Sequence, residues 1–228
     1  MKFSVETLKL LKNFTGISDV IYLNNEKGIV ALAPTGSFLG VAETEEDLDK
    51  GDCVFYNWSA FLSTIQAFGN EEAELEFKEK FVLIKNGSGG KIKYFYTNPR
   101  VVSKDYKKPK DFDSYQVDFT HDASIEISEH IWNELKKSSN IMGLDKLTIS
   151  VKDGKAFVRL SESEGVNNSE HEQEIDTFTG EGEIDINFSI LNIVAGDYQI
   201  LIKANKAIKI INKNIPLFYV LGKMKGKK

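Results

Sequence analysis

The sequence predicts an α+β protein made of two tandem domains, each a duplicated helix-plus-strands unit with its helices on one face of the sheets. Most segments, such as EAELEF and KIKYFYT, alternate apolar and polar residues as half-buried strands do. Only four short stretches have helical spacing. The order of elements in the first half recurs in the second, and a repeat of this length indicates two similar domains rather than a solenoid.

The four expected helices each carry a start or stop signal. They are, in chain order, Val5–Thr15, Ser59–Phe68, Ser128–Ser139 and Ser189–Ala195. Ser4 and Ser128 are placed to accept the first free backbone N–H groups of the first and third helices. Gly69 and Gly196 follow the second and fourth, where glycine ends helices because it tolerates the left-handed conformation.

The repeat consists of a helix, a hairpin, a strand, a helix and three strands in each half. Gly28 and Gly154 occupy the same turn position of the two hairpins, 126 residues apart. YNWSAFLSTI in the first half corresponds to INFSILNIV in the second. The segment 98–115 contains two of the four prolines and reads as an interdomain connector. We therefore expect domains at residues 1–110 and 111–228.

Composition excludes several classes of protein. The chain has 228 residues, of which 41% are hydrophobic, and a formal net charge of −5, which argues against a simple basic DNA-binding module. Cys53 is the only cysteine, so no internal disulfide forms. No signal-peptide core and no apolar stretch of about 18 residues is present, so we expect a protein of a reducing cytoplasm.

The charges are strongly segregated along the chain. From Lys91 to Lys110 there are seven basic residues and one acid, and from Ser161 to Asp185 there are nine acids and no lysine or arginine. From Ile186 to the end there are eight lysines and one acid. Segregation on this scale indicates surfaces that meet something of opposite charge, although a solvated surface explains any single charge.

The polar faces of the first and third helices are locally basic. Equivalent lysines on equivalent helices imply one shared target, and a phosphate backbone suits an acidic chain that concentrates positive charge on one face. The expected DNA-binding residues are Lys2, Lys9, Lys12, Lys136, Lys137 and Lys206. The second and fourth helices carry no lysine, so any DNA contact would be loose and not specific for sequence.

No motif indicates an enzyme. The sequence has no Gly-x-Ser-x-Gly, no Walker motif and no pair of acids with a supporting shell. His121, His130 and His171 lack the spacing of a metal site. We expect no catalytic residue, no metal and no cofactor.

The sequence resembles the sliding clamps of T-even-like bacteriophages, which are DNA polymerase processivity factors. The resemblance is carried by MKFSVETLKLLKNF at the start, LTISVKDGK in the second half, AGDYQILIKA, and the closing LFYVLGK. It covers nearly the whole chain and is weakest at residues 24–50 and 161–185. The two expected domains would then be DNA-clamp domains.

The resemblance implies a ring in the cytoplasm of the infected bacterial host. Three subunits would close head to tail around double-stranded DNA, with sheets outside and helices lining the hole. An ATP-dependent clamp loader would open the ring, a DNA polymerase would dock on it by a short peptide, and late-transcription factors are a further possible partner. The candidate walls of the peptide pocket are Phe112, Tyr115, Tyr198, Ile200, Phe218 and Tyr219.

The segregated charges suggest which surfaces join the subunits. A head-to-tail ring needs a heterologous contact, in which one edge strand meets a different edge of a neighbour. We expect the basic set Lys91, Lys93 and Arg100 to meet the acidic set Glu172, Glu174 and Asp176. The alternative to a clamp is a virion or tail structural protein built from a doubled β-rich domain.

Overall fold

The protein divides into two compact units, Met1–Phe112 and Asp113–Lys228. The structure is a computed structural model that describes residues 1–24, 28–44, 46, 53–69, 73–97, 119–163 and 169–224. The boundary expected between residues 110 and 111 lies outside the described residues.

The first unit contains two helices beside two antiparallel sheets. Its elements are α1 Val5–Phe14, β1 Val20–Asn24, β2 Gly28–Leu32, β3 Phe38–Ala42, β4 Cys53–Tyr56, α2 Trp58–Ala67, β5 Glu74–Phe77, β6 Phe81–Lys85 and β7 Lys91–Phe95. Four strands pair in the order β3-β2-β1-β4, and three pair as β5-β6-β7.

The second unit has one described helix and a larger set of strands. Its elements are β8 Ala123–Ile127, α3 Glu129–Met142, β9 Lys146–Lys152, β10 Lys155–Ser161, β11 Glu170–Glu174, β12 Phe178–Gly180, β13 Gly182–Asn187, β14 Tyr198–Lys203, β15 Ala207–Asn212 and β16 Leu217–Gly222. Five strands pair as β12-β8-β14-β15-β16, and four as β11-β10-β9-β13.

The capping serines position the first and third helices as the sequence predicts. Ser4 Oγ accepts from Thr7 N at 3.1 Å at the start of α1, and Ser128 Oγ accepts from Ile131 N at 3.3 Å at the start of α3. Helix α3 continues three residues beyond the predicted Ser139, until Gly143 adopts the left-handed conformation.

The predicted fourth helix is wrong, because residues 188–197 form turns and irregular backbone. Two buried tyrosines bind the backbone that a helix would use: Val194 N donates to Tyr219 Oη at 3.2 Å, and Tyr198 Oη donates to Val194 O. The segment also contains isoleucine, asparagine and valine, which have low helix propensity. Tertiary hydrogen bonds therefore outcompete a short and weak helix.

The cores of the two units are built around buried aromatic side chains. In the first unit, the Phe55 ring lies 5.0 Å from that of Trp58 and 4.6 Å from that of Phe61. In the second, the Trp132 ring of α3 lies 5.5 Å from the Phe188 ring and 6.2 Å from the Tyr198 ring. These contacts bury one face of each helix against the strands and leave the opposite face for solvent.

Replacing Gly28 with alanine is expected to destabilise the protein more than the same change at Gly154. Both have positive φ, 85° and 72°, which costs an L-residue about 1–2 kcal/mol. A Cβ atom on Gly28 would lie 2.3 Å from Ala42 O, whereas one on Gly154 meets nothing within 4 Å. Urea unfolding of the two variants should separate their free energies by at least about 1 kcal/mol. Equal losses would contradict the close approach at Gly28.

Candidate nucleic-acid interface and edge strands

Helix α1 displays its lysines on the face opposite the core. Leu10, Leu11 and Phe14 are buried, while Lys9 and Lys12 are exposed, as is Lys2 before the helix. The lysine ammonium groups are therefore free to meet an anionic surface along one side of α1.

A distant carboxylate fixes the start of this helix. Glu46 Oε1 accepts from Ser4 N at 2.5 Å, and Thr7 Oγ1 donates to Glu46 Oε2 at 2.7 Å. A negative charge at a helix N-terminus is favourable because the backbone dipoles place partial positive charge there. Glu46 therefore orients α1, and sequence reasoning missed it because 42 residues separate it from Ser4.

The two predicted lysines of α3 have different environments. Lys137 is exposed, whereas Lys136 is half-buried and its Nζ donates to Ile193 O at 3.0 Å. Burial lowers the pKa of Lys136. Lys136 therefore connects α3 to the irregular segment 188–197, and Lys137 is the α3 lysine that is displayed to solvent.

Lys206 lies in the turn between β14 and β15 and is exposed. Its neighbours form polar contacts at the same end of the unit: Lys203 Nζ lies 2.7 Å from Asp122 Oδ1, and Lys223 Nζ lies 2.8 Å from Asn205 Oδ1. The bond from Lys203 is the main cause that lowers the pKa of Asp122. Coulombic attraction to Lys206 also contributes to the lowering of the Asp122 pKa.

Strand β7 is an edge strand that carries two of the predicted interface lysines. Among the described residues it pairs only with β6. Lys91 and Lys93 are exposed on it, and Phe95 is 62% exposed, which is unusual for phenylalanine. Arg100, the third predicted residue of this set, lies outside the described residues.

Strand β11 is the corresponding acidic edge in the second unit, and in the described structure its one strand partner is β10. Glu172 and Glu174 are exposed on it, and Asp176 is exposed just beyond its end. The structure thus places Lys91 and Lys93 on one sheet edge and Glu172 and Glu174 on another. At such edges, backbone N–H and C=O groups are open to pairing with another chain.

Three of the predicted pocket residues belong to the core instead. Tyr198, Ile200 and Tyr219 are fully buried on one face of the sheet, the face that contacts Trp132 of α3, so they line no open pocket. Burial raises the pKa of Tyr198 to about 12.

Phe218 points to the opposite face, because side chains alternate along a strand. There the Lys209 Nζ lies 4.4 Å from its ring centroid. The remaining two pocket residues, Phe112 and Tyr115, lie outside the described residues. A peptide pocket on this sheet would thus use the face of Phe218 rather than that of Tyr219.

The described residues contain no group of three or more histidine, cysteine, aspartate or glutamate side chains that could bind a metal. A search of the same residues for a helix long and apolar enough to cross a membrane also found none.

Comparison with known proteins gives two curated relatives, both named sliding clamp. The relative from Vibrio phage KVP40 is 27% identical over 208 residues, which cover 89% of this chain and 90% of the relative. The relative from Escherichia phage RB69 is 25% identical over 209 residues, covering 89% of this chain and 87% of the relative. No protein-family model matches the chain. The predicted resemblance to T-even-like phage clamps is confirmed.

Solved structures give the fold independently of sequence. The DNA polymerase III beta chain of Streptococcus pneumoniae aligns with a TM-score of 0.66 at 13% identity, over 96% of this chain and 63% of that one. The proliferating cellular nuclear antigen of Entamoeba histolytica aligns with a TM-score of 0.67 at 10% identity, over 98% and 97% of the two chains. At these identities the likeness shows the fold alone, and it confirms the predicted α+β clamp fold.

Proposed function

We propose that this protein belongs to the sliding clamps of T-even-like bacteriophages and acts as a processivity factor, encircling duplex DNA and tethering the replicative DNA polymerase. The observation that carries the proposal is the agreement of two independent likenesses, in sequence to phage clamps and in fold to clamps of bacteria and eukaryotes, each over most of the chain. A clamp is a tether, so we assign no reaction to the chain.

The charge distribution suits binding by topology rather than by affinity. Every phosphate of a duplex presents the same charge, so a few exposed lysines centre DNA without recognising its sequence. Lys9 and Lys12 of α1 and Lys137 of α3 are the main candidates, with Lys2 and Lys206 as additional contacts. The net charge of −5 disfavours tight binding, which would slow sliding.

The ring would be a homotrimer in which the β7 edge of one subunit meets the β11 edge of the next. This contact is heterologous and can close a ring. Lys91 and Lys93 on one edge are opposite in charge to Glu172 and Glu174 on the other, and Arg100 and Asp176 extend the two sets.

Further partners follow from the proposed role. An ATP-dependent clamp loader would open the ring, the polymerase peptide would dock on the outer face near Phe218, and late-transcription factors would share that face. The protein would act in the cytoplasm of the infected bacterium.

The test combines particle mass with DNA topology. The assembled protein should have a mass of about 77 kDa, three times the chain mass of 25.7 kDa. Rings reassembled around a nicked plasmid from dilute subunits should stay bound through gel filtration, and should dissociate after a restriction enzyme linearises the plasmid. A virion or tail protein would show another stoichiometry and no dependence on DNA topology.

Lys136 and Lys137 are expected to give opposite results when each is changed to methionine. Lys137→Met should weaken the salt-dependent hold on DNA, because it removes an exposed cation from each subunit. Lys136→Met should leave DNA binding nearly unchanged and lower the free energy of unfolding by about 1 kcal/mol, since Ile193 O loses its donor. Fluorescence anisotropy with linear duplex at several salt concentrations and urea unfolding measure the two effects.

A further inference from the structure

The outward face of β7 can be identified from contacts that fix the inward face. Tyr94 Oη donates to Tyr56 O at 3.0 Å and to Asn57 O at 2.9 Å, and the Tyr94 ring lies 5.1 Å from the Phe61 ring of α2. Tyr94 therefore faces the helices. Because side chains alternate, Lys91, Lys93 and Phe95 share the opposite, outward face. A row of two lysines and one exposed phenylalanine thus borders this edge.

Strand β11 has the same arrangement with opposite charge. His171 Nδ1 lies 2.6 Å from Ser138 Oγ of α3, so His171 faces the helix. Its neighbours Glu170, Glu172 and Glu174 consequently share the outward face. If the two edges join as one continuous sheet, the lysine row and the glutamate row lie on the same side.

The glutamates of β11 are not equally available to a neighbour. Arg159 on β10 places its Nε 2.8 Å from Glu172 Oε2 and 3.9 Å from Glu170 Oε2. Glu174 instead lies opposite Phe157 on β10, and its carboxylate forms no ion pair with any described residue. Arg159 therefore compensates Glu172 within the chain and leaves Glu174 to bind a cation from elsewhere.

The lysines of β7 are available to a carboxylate of another subunit, whereas the neighbouring lysine on β6 is not. Lys85, which lies opposite Lys91 on β6, already bonds to Glu76. Lys93 Nζ lies 5.2 Å from the Phe81 ring centroid. In the described structure neither Lys91 nor Lys93 has a carboxylate partner.

We propose that β7 of one subunit pairs antiparallel with β11 of the next in the register that sets Lys93 opposite Glu174. This inference rests on the proposed ring. The register points Lys91 toward Asp176 and sets Phe95 opposite Glu172, beside Arg159. A shift by two residues would set Lys93 against Glu172, which Arg159 already binds.

The same rows exclude pairing between like edges. Two β7 edges would oppose lysine to lysine, and two β11 edges would oppose glutamate to glutamate, which is unfavourable for side chains directly across a strand pair. A contact that lies on a two-fold axis joins like edges, whereas a head-to-tail ring joins unlike ones. The charges thus specify the polarity of assembly as well as its register.

Disulfide trapping tests the register. Directly opposed residues have Cβ atoms about 4.5–5.5 Å apart and a diagonal pair about 7–8 Å apart, so only the first approaches disulfide geometry. A chain with Lys93→Cys and Glu174→Cys should give covalent dimers and closed trimers on mild oxidation. The matched control with Lys93→Cys and Glu172→Cys should crosslink at least tenfold more slowly. The native Cys53 is buried and is present in both.

The outcomes separate this inference from the proposed function. Faster crosslinking at position 172 than at position 174 overturns the register. A particle of trimer mass that crosslinks at neither position overturns the contact between β7 and β11, while the clamp proposal stands. A monomer at all concentrations overturns the ring and the register together. Fast crosslinking at 174, reversed by reductant, supports the register.

Discussion

Changing Lys91 and Lys93 together to glutamate is expected to separate the proposed trimer into single chains. Both lysines are exposed on the β7 edge, so the change should leave the fold of the subunit intact. At each junction two favourable charge pairs become repulsive, which costs about 2–4 kcal/mol in total. That is a loss of about 30- to 1,000-fold in the association constant at each of three junctions. Light scattering across a concentration series measures this loss as a shift of the trimer-to-monomer transition to higher protein concentration.

The compensating change should restore the ring. Adding Glu174→Lys and Asp176→Lys to the same chain exchanges the charges of both edges, so unlike edges meet again and the trimer mass should return. The control is Lys223→Glu, an exposed lysine directly after β16, a strand whose sheet contains neither β7 nor β11. If the trimer persists at low salt after Lys91 and Lys93 are changed to glutamate, charge does not select the contact between subunits.

Mixing two chains that each carry one half of these changes gives a sharper result. One chain carries Lys91→Glu and Lys93→Glu, and the other carries Glu174→Lys and Asp176→Lys. One chain then has two acidic edges and the other has two basic edges, so each should remain single by itself. Together they can join only in alternation. An alternating ring needs an even number of subunits, because three members place two like chains side by side. Native mass spectrometry should therefore find open chains of varied length or even rings, with no accumulation of a closed mixed trimer.

The sequence was sufficient to predict local structure where the signals are local. Ser4 and Ser128 lie three residues from the N–H groups that they bind, and the apolar spacing of α1 and α3 shows in the sequence itself. The order of hairpins and helices indicated two similar domains, and segments such as AGDYQILIKA carried the resemblance to phage clamps. Most of the failures involve groups distant along the chain.

The fourth helix illustrates this limit. Tyr219, whose hydroxyl binds Val194 N and thereby helps to displace the helix, lies 25 residues away. The pocket prediction failed for a local reason: it placed Phe218 and Tyr219 together, although neighbours in a strand face opposite sides of the sheet. The edge positions of β7 and β11, in contrast, depend on which strands pair, and strand pairing is a property of the whole sheet rather than of a segment.

The largest expected loss of stability follows replacement of Trp58 by alanine. Trp58 is fully buried against Phe55 and Phe61, and removing a buried tryptophan side chain typically costs about 3–5 kcal/mol. Its Nε1 also donates to Leu11 O at 3.1 Å, in the last turn of α1, where backbone carbonyls have no partner within the helix. Leaving that buried carbonyl unpaired adds about 1–3 kcal/mol.

Phenylalanine substitutions at Trp58 and Trp132 separate the hydrogen bond from the packing. Both indoles are fully buried, but Trp132 Nε1 has no hydrogen-bond partner in the described structure. Trp58→Phe should therefore be about 1–3 kcal/mol more destabilising than Trp132→Phe, as measured by urea unfolding at one subunit concentration. Equal losses would mean that the bond to Leu11 O contributes nothing. Because that bond joins α2 to the helix of Lys9 and Lys12, the Trp58 variants should also weaken the proposed DNA contact before the fold is lost, while the Trp132 variant should not.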